Sequence, residues 1–233
     1  MSLDDRVRLD EHDVTARQSA RASSTAPRRV PPATRLTRWG ANLVGAMGAG
    51  LFARAGLDHY RSTHSLIGAA FLGEQLWIVA AYVVRRRATV VSGRWRDWLL
   101  AFAGTFAGVL FRPTGAHPRW GIEAGMGLQV MGLAICVASF VALGRSFGFA
   151  PADRGVKQRG PYAVVRHPIY ASYFLLLGGY VLQSMTWRNL AVMLLVCSCD
   201  VGRALSEERL LSSNVDYMHY REHVRWRMLP GVW

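Results

Sequence analysis

Three groups of residues in the last third of the chain have the types and spacing to do chemistry. The first is Arg159-Gly160-Pro161-Tyr162-Ala163-Val164-Val165-Arg166-His167-Pro168-Ile169-Tyr170. The second is Glu207-Glu208, and the third is Tyr217, Tyr220, Arg225, Arg227 and Pro230. Pro168 suits the first turn of a helix, where no backbone N–H is required. His167 then stands at the positive end of that helix, where an anionic group such as a carboxylate can dock. Glu207 and Glu208 can take hydroxyls or an ammonium of the same ligand, and a helix carrying the two tyrosines can close over it. Each group also has a plainer reading. Arg166 and His167 can be ordinary interface residues, Glu207-Glu208 can end a helix in water, and Tyr217 and Tyr220 can be packing residues.

Convergence of these groups depends on the elements between them. The apolar stretch 168–206 is broken at Met185-Thr186-Trp187-Arg188, which reads as a helical hairpin. An outward arm of about 18 residues covers roughly 27 Å at 1.5 Å per residue. A matched return arm brings Glu207 back to the depth of His167. Further apolar runs lie at 66–84, 97–111 and 121–144, with a Gly-rich run at 39–57 that contains Arg54. A bilayer core of ~30 Å needs about 20 helical residues, so these runs read as membrane helices. The expected fold is all-α and integral to the membrane, with about six transmembrane helices, or five if 39–57 lies at the interface. A cytoplasmic amphipathic helix is expected within 206–233, where Leu210, Tyr217, Tyr220 and Val224 fall near one helical face. Three parts follow: a disordered basic tail (1–38), N-terminal transmembrane helices (39–144) and a half carrying the chemistry-bearing residues (145–233).

Charge sets the orientation. The 233 residues carry a net charge of +13, yet only 18% of them are charged and 51% are hydrophobic. Residues 1–38 carry +3 and residues 85–97 and 145–167 carry +4 each, whereas 54–65, 112–123 and the turn at Arg188 carry +1 each. Basic segments thus alternate with near-neutral ones, which places both termini and the three polar groups in the cytoplasm. A bacterial cytoplasmic membrane is the expected location. The same pattern removes the case for a nucleic-acid partner, which would want its charge along one groove-facing element.

Other constellations are weaker. Cys136, Cys197 and Cys199 lie in apolar runs, with neither a disulfide framework nor zinc spacing. His219 and His223 stand i, i+4 with Glu222 between them but without an evident third ligand, so no metal site is assigned. Glu74, mid-span, can line a cavity or join two helices. Asp200 and Arg203, i, i+3 on the last span, are expected to neutralise each other.

The stretch GPYAVVRHPIYASY, followed by Glu207-Glu208 and then YMHYREHVRWRMLPGVW, resembles the isoprenylcysteine carboxyl methyltransferase and phospholipid methyltransferase group of integral membrane enzymes. Their signature is an Arg-His-Pro-x-Tyr segment opening a helix, a Glu-Glu pair after a helical hairpin, and a tyrosine-rich tail ending in Arg-x-x-Pro. The resemblance is strong over 141–233 and only architectural over 39–140. It implies a cytoplasm-facing pocket for S-adenosylmethionine. By that resemblance Gly160, Pro161, Tyr162, His167, Tyr170 and Glu208 line the cofactor pocket, joined by Tyr217, Tyr220 and Arg227 of the tail. Arg166 and Glu207 stand nearer the acceptor as the catalytic pair, with Arg166 clamping an anionic acceptor. One departure is Ser172, where the group commonly has glycine two positions after the motif tyrosine.

The resemblance implies methyl transfer to a lipophilic or membrane-partitioned acceptor, whether a carboxylate, an amine or a thiol or hydroxyl. In-line displacement at a sulfonium needs no covalent enzyme intermediate, so positioning and desolvation supply most of the catalysis. A carboxylate needs no base, whereas an amine or hydroxyl would use Glu207 or His167. Two other readings stand beside this one. An NADPH-dependent membrane reductase of sterol-reductase-like architecture shares an Arg-His-Pro-like segment, but the Glu-Glu pair and Trp226 count against it. A non-enzymatic membrane scaffold would bind neither cofactor. The acceptor and the oligomeric state are not written in the sequence.

Overall fold

The computed structural model describes residues 35–63, 72–73, 76–77, 79–80, 88, 90–112 and 119–233. Most of the expected tail, Glu74 and the arginines at 85–87 lie outside the described residues. Six helices organise the rest: α1 (Arg35–Thr63), α2 (Trp95–Phe106), α3 (Arg119–Leu143), α4 (Pro168–Gln183), α5 (Trp187–Leu211) and α6 (Val215–His223). One two-residue ladder pairs β1 (Val90–Val91) with β2 (Ala152–Asp153), antiparallel, with Val90 opposite Asp153 and Val91 opposite Ala152.

Among the described residues, two helical segments are long and apolar enough to cross a membrane, Arg119–Ser146 and Trp187–Leu211. Only 22% and 39% of their apolar windows are buried inside the protein. Met126, Val130 and Val141 on α3 and Leu190, Leu194 and Leu195 on α5 all face outward. A soluble protein would cover so continuous an apolar surface. This measure reaches two of the about six expected spans: most of the expected span 66–84 lies outside the described residues, and three other helices fall short for local reasons. Helix α1 is long, starting at Arg35 and not at residue 39, but it carries Arg54 and Asp58. Helix α2 lasts 12 residues before tightening into a 3-10 turn at Ala107–Leu110. Helix α4 has 16 residues, or about 24 Å at 1.5 Å per residue.

Asn189 anchors the chain just after α2 and its 3-10 turn. Its side chain is fully buried. It accepts from the Arg112 backbone N–H at 3.1 Å and donates to the carbonyls of Arg112 (2.9 Å) and Ser184 (2.7 Å). One amide thereby ties the end of the α2 segment to the α4–α5 turn. Thr186 caps α5, its hydroxyl oxygen accepting from the Asn189 N–H at 3.1 Å, as an N-cap residue should.

Helices α3 and α4 cross with their backbones in near contact. A Cβ at Gly125 would stand 2.5 Å from the Gly179 carbonyl oxygen, and one at Gly179 would stand 2.5 Å from that of Gly125. Small residues permit such an approach between membrane helices. Further along, a Cβ at Gly132 would stand 2.9 Å from the Ser172 carbonyl oxygen. Buried Ser172 satisfies its hydroxyl on its own helix, donating to the Ile169 carbonyl at 2.6 Å. Gly132 gives the room for the α4 backbone to approach there.

The C-terminal segment is two helices with a break between them. Asn214 caps α6, accepting from the N–H groups of Asp216 (2.9 Å) and Tyr217 (3.3 Å). Tyr217, Tyr220 and Val224 then pack inward with Val156 and Leu211.

Candidate functional site

Pro168 opens α4, with His167 as the preceding N-cap residue. The chain before it turns through a 3-10 segment, Gly160–Ala163, whose Gly160 has φ of +62°. A side chain there would be strained, so glycine serves the turn. Residues 165–167 run beside the C-terminal tail. Val165 forms a parallel bridge with Trp226, the Arg166 N–H donates to the Trp226 carbonyl at 2.9 Å, and the His167 N–H donates to that of Arg227 at 2.7 Å. Tail and motif are therefore one backbone unit.

The hairpin returns Glu207 and Glu208 to this level. Tyr170 donates its hydroxyl to Glu207 Oε1 at 2.7 Å. His167 Nδ1 lies 3.6 Å from Glu207 Oε2 and its Nε2 lies 3.4 Å from Glu208 Oε1. Arg166 Nη1 is 2.7 Å from Glu208 Oε1, and Arg227 Nε donates to Glu208 Oε2 at 3.0 Å. Arg166 Nη2 also donates to the Arg225 carbonyl at 3.0 Å. Arg166, His167 and Glu208 are all buried. Two neighbouring carboxylates are thus placed differently, Glu208 among cations and Glu207 beside open space.

That space is a cavity of about 840 Å³, within the range of small-molecule sites. Its polar end is lined by Tyr162, Arg166, His167, Glu207, Tyr217 and Tyr220. Its mainly apolar lobe is lined by Phe52, Phe111, Leu133, Leu177, Tyr180 and Val196, with the hydrogen-bonded pair Gln129 and Gln183 also on the wall. Of the residues expected at a cofactor pocket, Tyr162, His167, Tyr170, Tyr217 and Tyr220 reach the cavity wall, as do Arg166 and Glu207. Gly160, Pro161, Glu208 and Arg227 do not.

The tyrosines are not equivalent. Tyr220 is fixed, donating its hydroxyl to the Tyr162 carbonyl at 2.6 Å. The buried Tyr217 hydroxyl lies beside the Arg166 guanidinium, and its own O–H donates to no protein acceptor. Burial pushes the phenols of Tyr162, Tyr217 and Tyr220 above the ordinary tyrosine range, with the carboxylates of Glu207 and Glu208 adding to the shift at Tyr162 and Tyr217 respectively, and Tyr217 adding to it at Tyr220. All three remain neutral hydroxyls at ordinary pH.

The sequence reading missed part of the wall. Gly48, Phe52 and the loop residues Arg154 and Lys157 border the cavity, as does Arg203. Arg203 could have been found, since it is one helical turn before Glu207 and so shares its face. It pairs with Asp200 at 3.2 Å, as their spacing foretold. His219 and His223 are exposed, and among the described residues no three His, Cys, Asp or Glu side chains gather to hold a metal.

Residues 120–214 match the phospholipid methyltransferase family model. The match covers nearly all of α3, the Arg-His-Pro segment, α4 and α5, the parts that build most of the cavity. It ends at Asn214, short of α6, so Tyr217, Tyr220 and Arg227 stand outside it. This methyltransferase match over 120–214 agrees with the resemblance carried by the Arg-His-Pro and Glu-Glu motifs. No curated protein matches the chain.

Proposed function

We propose that this chain transfers a methyl group from S-adenosylmethionine to a lipophilic, membrane-partitioned acceptor. The observation that carries the reading is the two-ended cavity. One end is polar and built around Arg166, His167 and Glu207, the other is apolar and bordered by the helices with lipid-suited surfaces, and both are one space. A soluble zwitterionic cofactor suits the first and an apolar acceptor the second.

The residues present fit that cofactor. It carries a positive sulfonium, an ammonium, a carboxylate and ribose hydroxyls. Glu207 offers carboxylate oxygens on the cavity wall, and the aromatic rings of Tyr162, Tyr217 and Tyr220 suit a cation. The Tyr217 O–H is a buried donor awaiting an acceptor, which a ligand oxygen would satisfy. When bound, the cofactor supplies an electrophilic methyl group. Arg166 and His167 orient the ligand's anionic end, and Glu207 takes a proton where the acceptor is an amine or hydroxyl. Glu208 and Arg227 act from behind the wall, holding Arg166 and the tail in place.

In this reading the chain has about six spans, both termini are cytoplasmic, and the cofactor arrives from the cytoplasm while the acceptor comes sideways from the bilayer. Binding of S-adenosylhomocysteine, followed by thermal shift in detergent beside NADPH, tests it. Stabilisation by S-adenosylhomocysteine is expected. Stabilisation by NADPH alone would overturn the reading.

A further inference from the structure

Arg203 stands where the two ends of the cavity meet. On α5 it is one turn further from the polar end than Glu207, and on α4 its neighbour Tyr170 is one turn inside His167. Its guanidinium lies over the Tyr170 ring, 5.2 Å from the centroid, and it lines the cavity. Beyond it the wall turns apolar, through Val196 and Leu177. An amphiphile with its tail in that lobe brings its head group to this level.

The guanidinium is not used up by its protein partners. Nη1 donates to Asp200 Oδ1 and Nη2 to the Phe149 carbonyl, each at 3.2 Å. Its Nε–H is buried with no acceptor. Five N–H groups in a planar fork match the oxygens of a carboxylate or phosphate. An open buried donor is destabilising unless an acceptor satisfies it, and a ligand oxygen in the cavity could do so. Arg166 is held by Glu208 and the Arg225 carbonyl at the polar end, where its own Nε–H is also open, so the two arginines face different parts of the cavity.

We propose that Arg203 binds an anionic oxygen, of a carboxylate or a phosphate, on an amphiphilic acceptor whose apolar part fills the lobe. The inference rests on the methyltransferase reading for the word acceptor, but its test does not require turnover. The protein in a neutral maltoside detergent is titrated calorimetrically with octyl phosphate, octanoate and octanol. At least one anion is expected to bind about tenfold more tightly than octanol, equal to ~1.4 kcal/mol. Arg203→Gln abolishes that preference while octanol binding persists, and Arg203→Lys keeps part of it. The two anions tell a phosphate head group from a carboxylate. No preference in the wild type, or a preference that survives Arg203→Gln, overturns the proposal. If Arg203→Gln does not fold, the double variant Asp200→Asn/Arg203→Gln removes both buried charges and is judged by the same criterion. S-adenosylhomocysteine is titrated separately. Its failure to bind, with the anion preference intact, counts against the methyltransferase reading and leaves the assignment of Arg203 standing.

Discussion

Glu208 meets Arg166 at 2.7 Å, carboxylate to guanidinium, with both side chains buried. The two residues come from opposite ends of a helical hairpin, and Arg227 of the tail reaches the same carboxylate at 3.0 Å. One buried anion thereby joins the motif loop, the returning helix and the tail. Glu207, its neighbour in sequence, faces the cavity instead.

The two glutamates should separate on substitution. Glu208→Gln leaves two arginines without their charge partner and should destabilise the fold by about 3–5 kcal/mol, the range for breaking a buried pair. Glu207→Gln should leave the melting temperature nearly unchanged and lower affinity for S-adenosylhomocysteine. Thermal unfolding and calorimetry on both variants check this. Equal loss of stability in the two would contradict the division of roles.

The tyrosines give a second contrast. Tyr220→Phe removes a buried bond to the Tyr162 carbonyl and strands its acceptor, at a cost of about 1–3 kcal/mol. Tyr217→Phe removes a hydroxyl whose O–H finds no protein acceptor and whose oxygen lies beside Arg166, so stability should change less than in Tyr220→Phe while ligand affinity falls. Melting curves with and without ligand distinguish the two.

Alkaline pH should weaken the fold. Tyr162, Tyr217 and Tyr220 have folded-state pKa values raised by burial. A raised value means that their contribution is fully present below the unfolded tyrosine pKa of about 10 and is lost as pH rises above it. The melting temperature should fall above that point, and less steeply in Tyr217→Phe. An unchanged slope in the variant would show that Tyr217 does not carry the titration.

The helix crossing is sensitive to volume. Gly179→Val should prevent folding, because even a Cβ meets the Gly125 carbonyl. Ser172→Gly should be tolerated, since it loses only a hydroxyl bonded within its own helix. Expression and monodispersity of the two variants in detergent decide the matter.

Much of this was legible in the sequence, and for physical reasons. Proline at 168 and the break at 185–188 mark a hairpin whose arm lengths bring Glu207 beside Tyr170, as observed at 2.7 Å. The i, i+3 spacing of Asp200 and Arg203 foretold their ion pair. Other features were not legible. Nothing in consecutive glutamates says which one faces a cavity, because that depends on where the tail and motif loop pack. The tie between Arg112 and Asn189, 77 positions apart, spans a distance no local pattern encodes, although the run 97–111 already marks where α2 and its 3-10 turn end. Asn214 breaks what apolar spacing alone joined into one helix.

The central claim is methyl transfer into the bilayer's contents. The purified protein, in membranes of a lipid extract, is given S-adenosylmethionine labelled on its methyl group, and the organic phase is analysed by mass. Label should appear in a lipid-soluble product, and Glu207→Gln should reduce it. If the lipid phase stays unlabelled over the full range of extracted lipids while NADPH stabilises the protein, the chain is not the methyltransferase proposed.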